Sequence, residues 1–183
     1  MPEPDPSTLV VAAGEERGHS WISGGFGVIF KVFGTETGGR LAIVEHPIWP
    51  RMMVMPHVHE REDEYSFVLV GTIGARIGDR EIEASAGSYV LKPRQVPHAF
   101  WNPTDQPARI LEMISPAGFE NFFDELGQLV TSFDGQGDRI APADRAARVG
   151  ELAAGYGLRY LPEWIPELEA KYGLHTRATQ LRS

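Results

Sequence analysis

The chain has 183 residues and no cysteine. Disulfides, thiolate zinc sites and cysteine nucleophiles are therefore excluded, and any bound metal must be held by histidine and carboxylate. Positive charge is scarce. Lys and Arg number 17 against 25 Asp and Glu, a net charge of −8. Broad nucleic-acid binding needs clustered basic residues, so no nucleic-acid partner is expected. No apolar run approaches the length of a membrane span. The opening M-P-E-P-D-P-S is acidic and proline-rich, without the basic and apolar regions of a signal peptide. The expectation is a cytoplasmic protein with no membrane partner. A phosphate-cradling G-x-x-x-x-G-K-[ST] loop, a dinucleotide G-x-G-x-x-G after a strand and a G-x-S-x-G elbow are all missing.

What is present reads as a β-rich domain. Hydrophobic content of 42% suits a globular protein that can bury a sizeable core. Residues 1–18, with Pro2, Pro4 and Pro6, predict a flexible N-terminal arm. From Trp21 to Met113 short β-branched and aromatic runs alternate with Gly and Pro turn signals, the pattern of a sandwich or barrel. The barrel is expected over residues 19–115. After Ser115-Pro116, Phe119, Phe122, Phe123 and Leu126 recur at helical spacing. A polar break at Asp134–Gly137, a helix over Ala143–Tyr156, a short helix over Pro162–Tyr172 and a tail from His175 complete a C-terminal helical extension, residues 116–183.

Three histidines and one glutamate stand out. His57 and His59 are two residues apart, so in a strand they share a face. Glu64 follows a turn, and His98 lies in a later segment that a hairpin-rich sheet can bring alongside. Three imidazoles and a carboxylate suit one divalent transition metal (Fe, Ni, Co, Mn, Cu or Zn). In an octahedral field four protein ligands leave two positions open, which favours catalysis over a closed structural site.

These segments resemble the two motifs of the cupin superfamily. The first, G-x5-H-x-H-x3/4-E-x6-G, is matched by His57, His59, Glu64 and Gly71, with Arg51 at the leading glycine position. The second, G-x5-P-x-G-x2-H-x3-N, is matched by Gly87, Pro93, His98 and Asn102, with Gln95 at the internal glycine position. T-G-G-R-L-A-I-V-E, H-E-R-E-D-E and S-P-A-G-F-E-N-F-F-D-E-L further resemble a subgroup of single-domain cupins labelled quercetin-dioxygenase-like. The resemblance implies an antiparallel β-barrel of jelly-roll type with C-terminal α-helices, and pairing into a homodimer. It also implies a metal-dependent dioxygenase acting on a small aromatic or enolisable substrate. A redox-neutral isomerase, decarboxylase or hydrolase and a non-catalytic binding module remain the alternatives.

Further roles follow from position. Glu64 could act catalytically, loosening from the metal to accept a proton. Met53, Met55 and Phe100, at period two from His57 and His98, are expected to line an apolar substrate pocket, with Phe67 pointing outward by its parity to Glu64. Glu60, Glu62 and Asp63 read as a solvated acidic loop, Arg51, Arg94 and Gln95 as surface residues on turns, and Asn102 as a structural tie. His19, His46 and His175 are read as non-ligands.

Overall fold

Strand formation here follows alternation. Along Asp63–Val70 the residues Glu64, Ser66 and Val68 are buried while Tyr65 is exposed and Phe67 and Leu69 are half-buried. Ala108–Ser115 buries Ala108, Ile110, Glu112 and Ile114. Each strand thus presents one face to the interior, as a half-buried pleated strand must. The computed structural model describes residues 9–134 and 140–176. The first eight residues of the expected arm, most of the expected break at 134–137 and the tail beyond Thr176 lie outside the described residues.

Among the described residues, eleven strands form two antiparallel sheets that face one another. The strands are β1 (Arg17–Ser23), β2 (Phe26–Val32), β3 (Ala42–Ile48), β4 (His57–His59), β5 (Asp63–Val70), β6 (Thr72–Ile77), β7 (Arg80–Ser85), β8 (Tyr89–Lys92), β9 (His98–Trp101), β10 (Ala108–Ser115) and β11 (Leu158–Tyr160). One sheet runs β1-β2-β3-β10-β5-β8 and the other β11-β4-β9-β6-β7. This is the expected mainly-β jelly roll with C-terminal helices. The helices are α1 (Gly34–Thr37), α2 (Glu120–Asp134), α3 (Pro142–Gly155) and α4 (Ile165–Tyr172), with a 3-10 turn at Pro162–Trp164. None of the described helices is long and apolar enough to cross a membrane.

Three features differ from the expectation. Strand β1 begins at Arg17, inside the stretch expected as an arm, and pairs with β2. Helix α2 starts at Glu120, because Ser115 is still held in β10 opposite Asp63 and its hydroxyl donates to Arg40 O. The Glu120 carboxylate closes that entry by accepting from Gly118 N and Gly34 N.

The largest departure is β11, a segment with no strand signal of its own. It pairs antiparallel with β4, Leu158 opposite His59 and Tyr160 opposite His57. The contact is extended by Glu60 N to Gly157 O at 3.0 Å and Leu161 N to Pro56 O at 2.8 Å. The C-terminal extension therefore supplies a strand to the sheet and covers what would have been an exposed edge. Helix α4 packs Leu168, with Leu174, against Met53 and Trp101 on the outer side of the same sheet.

His46 is buried in β3, its Nδ1 2.8 Å from Gly27 O and its ring stacked at 4.7 Å on Phe26. Burial lowers its pKa to about 4, with the Gly27 carbonyl opposing and Lys92 and Glu64 adding weaker, opposite fields. The unfolded chain gains this proton near pH 6.5 and the folded chain only near pH 4. Stability should therefore fall as pH drops through that window, by about 3 kcal/mol from this residue. Urea unfolding of His46→Phe should show a pH slope shallower by about one proton there. An unchanged slope would remove His46 from the acid response.

Candidate metal centre

Three of the ligand-bearing side chains come from one sheet and the fourth from the other. His57 and His59 lie on β4, and His57 stands directly opposite His98 on β9. Glu64 opens the inner face of β5 across the barrel. Each of the four offers one ligand atom, and these atoms lie within 4.8 Å of one another. None of the four residues is more than 6% exposed. His59 Nε2 is 3.3 Å from Glu64 Oε1, and His98 Nε2 is 3.3 Å from Glu64 Oε2.

The imidazoles are oriented for coordination. His57 Nδ1 is 2.6 Å from Met55 O, and His98 Nδ1 is 3.1 Å from Val96 O. A carbonyl only accepts, so these nitrogens carry the proton and Nε2 keeps its lone pair. His59 Nδ1 faces Glu62 Oε2 at 3.5 Å. Glu62 is buried, which corrects the reading of a uniformly solvated acidic loop and gives it the role of orienting a ligand. Asp63 does face outward, in an ion pair with Arg94 at 2.7 Å.

The donor set fits a metal ion. His59 Nε2, His98 Nε2 and Glu64 Oε2 are buried without a well-aligned hydrogen bond, their nearest polar neighbours being one another and Lys92 Nζ, 3.0 Å from Glu64 Oε2. Buried polar atoms left so are rare, and three on one centre point to a shared ligand. Bonds of about 2.1 Å would separate neighbouring donors by about 3 Å and opposite donors by about 4 Å. The His59–Glu64 and His98–Glu64 separations, 3.3 Å each, fall in that range.

Charge around the centre is unusual. Burial pushes the Glu64 carboxyl up, but Lys92 and His59 outweigh it and hold it well below the usual range. Burial alone would lower His59, yet Glu64 and Glu62 lift it to about 9. His57 is driven well below its ordinary value by burial and by the neighbouring imidazoles, and His98 is lowered mainly by burial. One ligand histidine is thus a cation beside an ionised glutamate, and two are neutral.

Lys92 was not anticipated from the sequence. It is 1% exposed, with Nζ 3.0 Å from Glu64 Oε2 and 2.6 Å from Glu112 Oε2. Glu112 also accepts from Ser66 Oγ at 3.0 Å, and Nζ lies 4.4 Å from the Phe100 ring centroid. Burial would neutralise the ammonium, but Glu112 and Glu64 keep it charged. Burial raises Glu112 to about 7 against the pull of Lys92.

The expected pocket residues are placed as follows. Phe100 points inward, in a core cluster with Ile48, Val68 and Ile110, one layer from Glu64 through Lys92. Met55 is half-buried and contributes its carbonyl to His57. Met53 packs with Trp101, Leu168 and Leu174 instead of beside the ligands. The chain at 54–56 is not strand, so two-residue alternation does not carry back from His57 to Met53. Phe67 faces outward onto Tyr89 at 4.7 Å, as its parity requires. The apolar wall at the ligands is instead formed by Phe119, edge-on to His59 at 4.3 Å, with Ile114 and Leu158.

The two motif departures also find a place. Arg51 and Gln95 are the non-glycine residues with positive φ among the described residues, at 59° and 64°. Both positions keep the left-handed turn that glycine adopts at no cost. Arg51 is held there by Asp105 at 2.8 Å, and Gln95 by its N–H to His59 O at 2.7 Å. Asn102 donates to Ile48 O and Gln106 O and accepts from Thr104, tying the end of β9.

Residues 48–114 match the cupin domain family. That segment of the chain is similar to cupin domains. That segment holds all four ligand residues. Known structures agree on the fold. A predicted oxalate decarboxylase from Thermotoga maritima is 17% identical over 59% of this chain and 99% of its own, with a TM-score of 0.54. KdgF from a Halomonas species is 16% identical over 57% of this chain and 91% of its own, with a TM-score of 0.51. A single-site variant of an oxalate decarboxylase from Bacillus subtilis is 22% identical over 56% of this chain and 29% of its own, also at 0.51. At such identities the likeness is one of fold, and fold alone does not carry function. No curated protein matches the sequence.

Proposed function

We propose that this cupin-like domain binds one divalent transition metal through His57, His59, Glu64 and His98. We further propose that the protein is a dioxygenase of the quercetinase-like kind, acting on a small aromatic or enolisable molecule. The observation that carries the reading is the buried cluster of four convergent donors, whose ligand atoms lie within 4.8 Å of one another. When bound, the metal supplies Lewis acidity and, where it can change oxidation state, activation of dioxygen. The protein's part is to orient and to exclude water. Met55 O and Val96 O fix two imidazoles, while Phe119, Ile114 and Leu158 cover the site. In this reading Glu64 takes a proton from an enol or hydroxyl.

A second reading rests on Lys92. Its contact with Glu64 Oε2 opposes any swing of that carboxylate off the metal. A clamped Glu64 fits redox-neutral Lewis-acid chemistry, such as isomerisation or decarboxylation.

An oxygen electrode distinguishes the two. Protein loaded in turn with Fe, Mn, Co, Ni or Cu should consume dioxygen with a flavonol or a 1,3-diketone. Glu64→Gln should slow that uptake by roughly 100-fold, the usual contribution of a positioned general base. Substrate turnover without dioxygen by the zinc form would establish the redox-neutral reading. No uptake across the panel, with metal content verified, would sink the dioxygenase.

A further inference from the structure

Strand β11 brings an unanticipated side chain to the metal centre. Tyr160 stands opposite His57, and Leu158 opposite His59, in an antiparallel pair. Opposed residues on neighbouring strands project to the same face, with Cβ atoms about 5 Å apart. His57 and His59 project toward Glu64, so Tyr160 and Leu158 project inward as well. The burial pattern agrees: Leu158 is buried, Arg159 exposed and Tyr160 half-buried. Tyr160 packs on the cluster containing Ile114, Phe119 and Leu158. That cluster borders the ligands, since Phe119 touches His59 and Ile114 is the register partner of Glu64.

The ring is thus held, while the hydroxyl of this half-buried residue makes no hydrogen bond to the described residues. By contrast, Tyr156 and Tyr172, the other tyrosines of the C-terminal extension, both donate to glutamates, Glu125 and Glu81.

Resting on the metal reading above, we propose that Tyr160 is a ligand-binding residue. Its hydroxyl donates a hydrogen bond to an oxygen of a small anion, a carboxylate or an enolate, that occupies the open side of the metal. A phenol keeps its proton at neutral pH and so serves as a donor. The C-terminal extension then does more than cover the barrel. It supplies one wall of the site and a polar group on that wall.

The test uses the full chain loaded with one equivalent of Co(II) or Fe(II), and 4-nitrocatechol as a chromophoric oxygen-donor probe. The dissociation constant is read from the probe's absorbance shift. Tyr160→Phe keeps the ring and its packing, and it should bind the same equivalent of metal. Its affinity for the probe should fall by roughly 10- to 100-fold, the worth of a hydrogen bond to a charged acceptor. Circular dichroism and metal content of the variant separate this from misfolding. If the ring proves intolerant of change, Leu158→Ala serves as the control, because it perturbs the same wall without removing a donor. Its probe affinity should change less than that of Tyr160→Phe. Equal probe affinity in wild type and Tyr160→Phe would overturn the inference. So would wild-type protein that takes metal but not the probe, which would leave the metal site standing. Protein that takes no metal would overturn the reading beneath both.

Discussion

Metal-free protein given Co(II), Ni(II) or Mn(II) in excess, at about 100 times the dissociation constant, should gain about 5–10 °C in thermal midpoint. The size of the gain follows from linkage. A ligand at 100 times its dissociation constant adds about 2.7 kcal/mol, and each kcal/mol moves a domain of this size by about 2–4 °C. The gain should vanish in His98→Ala, which removes a donor that is 0% exposed and directly opposite His57. The metal-free variant must be measured beside it, because loss of a buried ring lowers stability by itself. The affinity should also depend on pH in a specific way. His59 sits at about 9 in the metal-free protein, and a metal must displace its proton. His57 and His98 are lowered and already neutral at pH 7. One proton should therefore be released per metal at pH 7, and affinity should drop about tenfold per pH unit below 9. Calorimetry in buffers of different ionisation enthalpy counts that proton directly. No midpoint shift with any first-row divalent ion would remove the metal from this site.

The legibility of this site in the sequence is uneven, and the reasons are physical. His57, His59, Glu64 and His98 are short-range features: a two-residue spacing, a turn and a second motif of fixed spacing. The strands around them announce themselves by alternation. That same alternation carries a further signal. Lys92 follows Val90 by two, Ser66 follows Glu64 by two, and Glu112 stands between Ile110 and Ile114. Polar residues at inward parity in three adjacent strands mark a buried polar network, and only the pairing of β10 with β5 and β8 with β5 shows that they meet. Strand β11 is invisible for another reason. Three residues, L-R-Y, carry no period, and their strand identity comes entirely from pairing with β4. Met53 fails in the opposite sense. A local period does not extend across 54–56, where the chain leaves the sheet. Arg51 and Gln95 show that a motif glycine can be replaced while its backbone conformation is kept, because local hydrogen bonds hold the left-handed turn.

Lys92→Met should be the most damaging single change in the molecule outside the ligands. Lys92 is a buried ammonium between two buried carboxylates, Glu64 and Glu112, and among the described residues no other cation pairs with Glu112. Removing one partner of such a cluster leaves uncompensated charge in the interior and costs about 3–5 kcal/mol. For a domain of this size that is roughly 6–20 °C in thermal midpoint. The loss should carry a pH signature in metal-free protein. Glu112 is already raised to about 7 with Lys92 present, and without the ammonium it must rise further. A carboxyl whose folded pKa is raised binds its proton more tightly folded than unfolded. Its contribution to stability is therefore greatest below its unfolded pKa near 4.5 and is lost as pH rises through the folded value. Lys92→Met should consequently be closer to wild type at pH 5 than at pH 8. Adding Glu112→Leu removes the stranded charge and should recover most of the loss at pH 8, since buried ion pairs replaced by apolar groups of similar volume are often neutral. Glu64 remains ionised in that double variant, so metal binding should rescue it more than it rescues wild type. A single variant within about 1 kcal/mol of wild type at pH 8, or a double variant no more stable than the single, would show that Lys92 is not the counter-ion this geometry makes it.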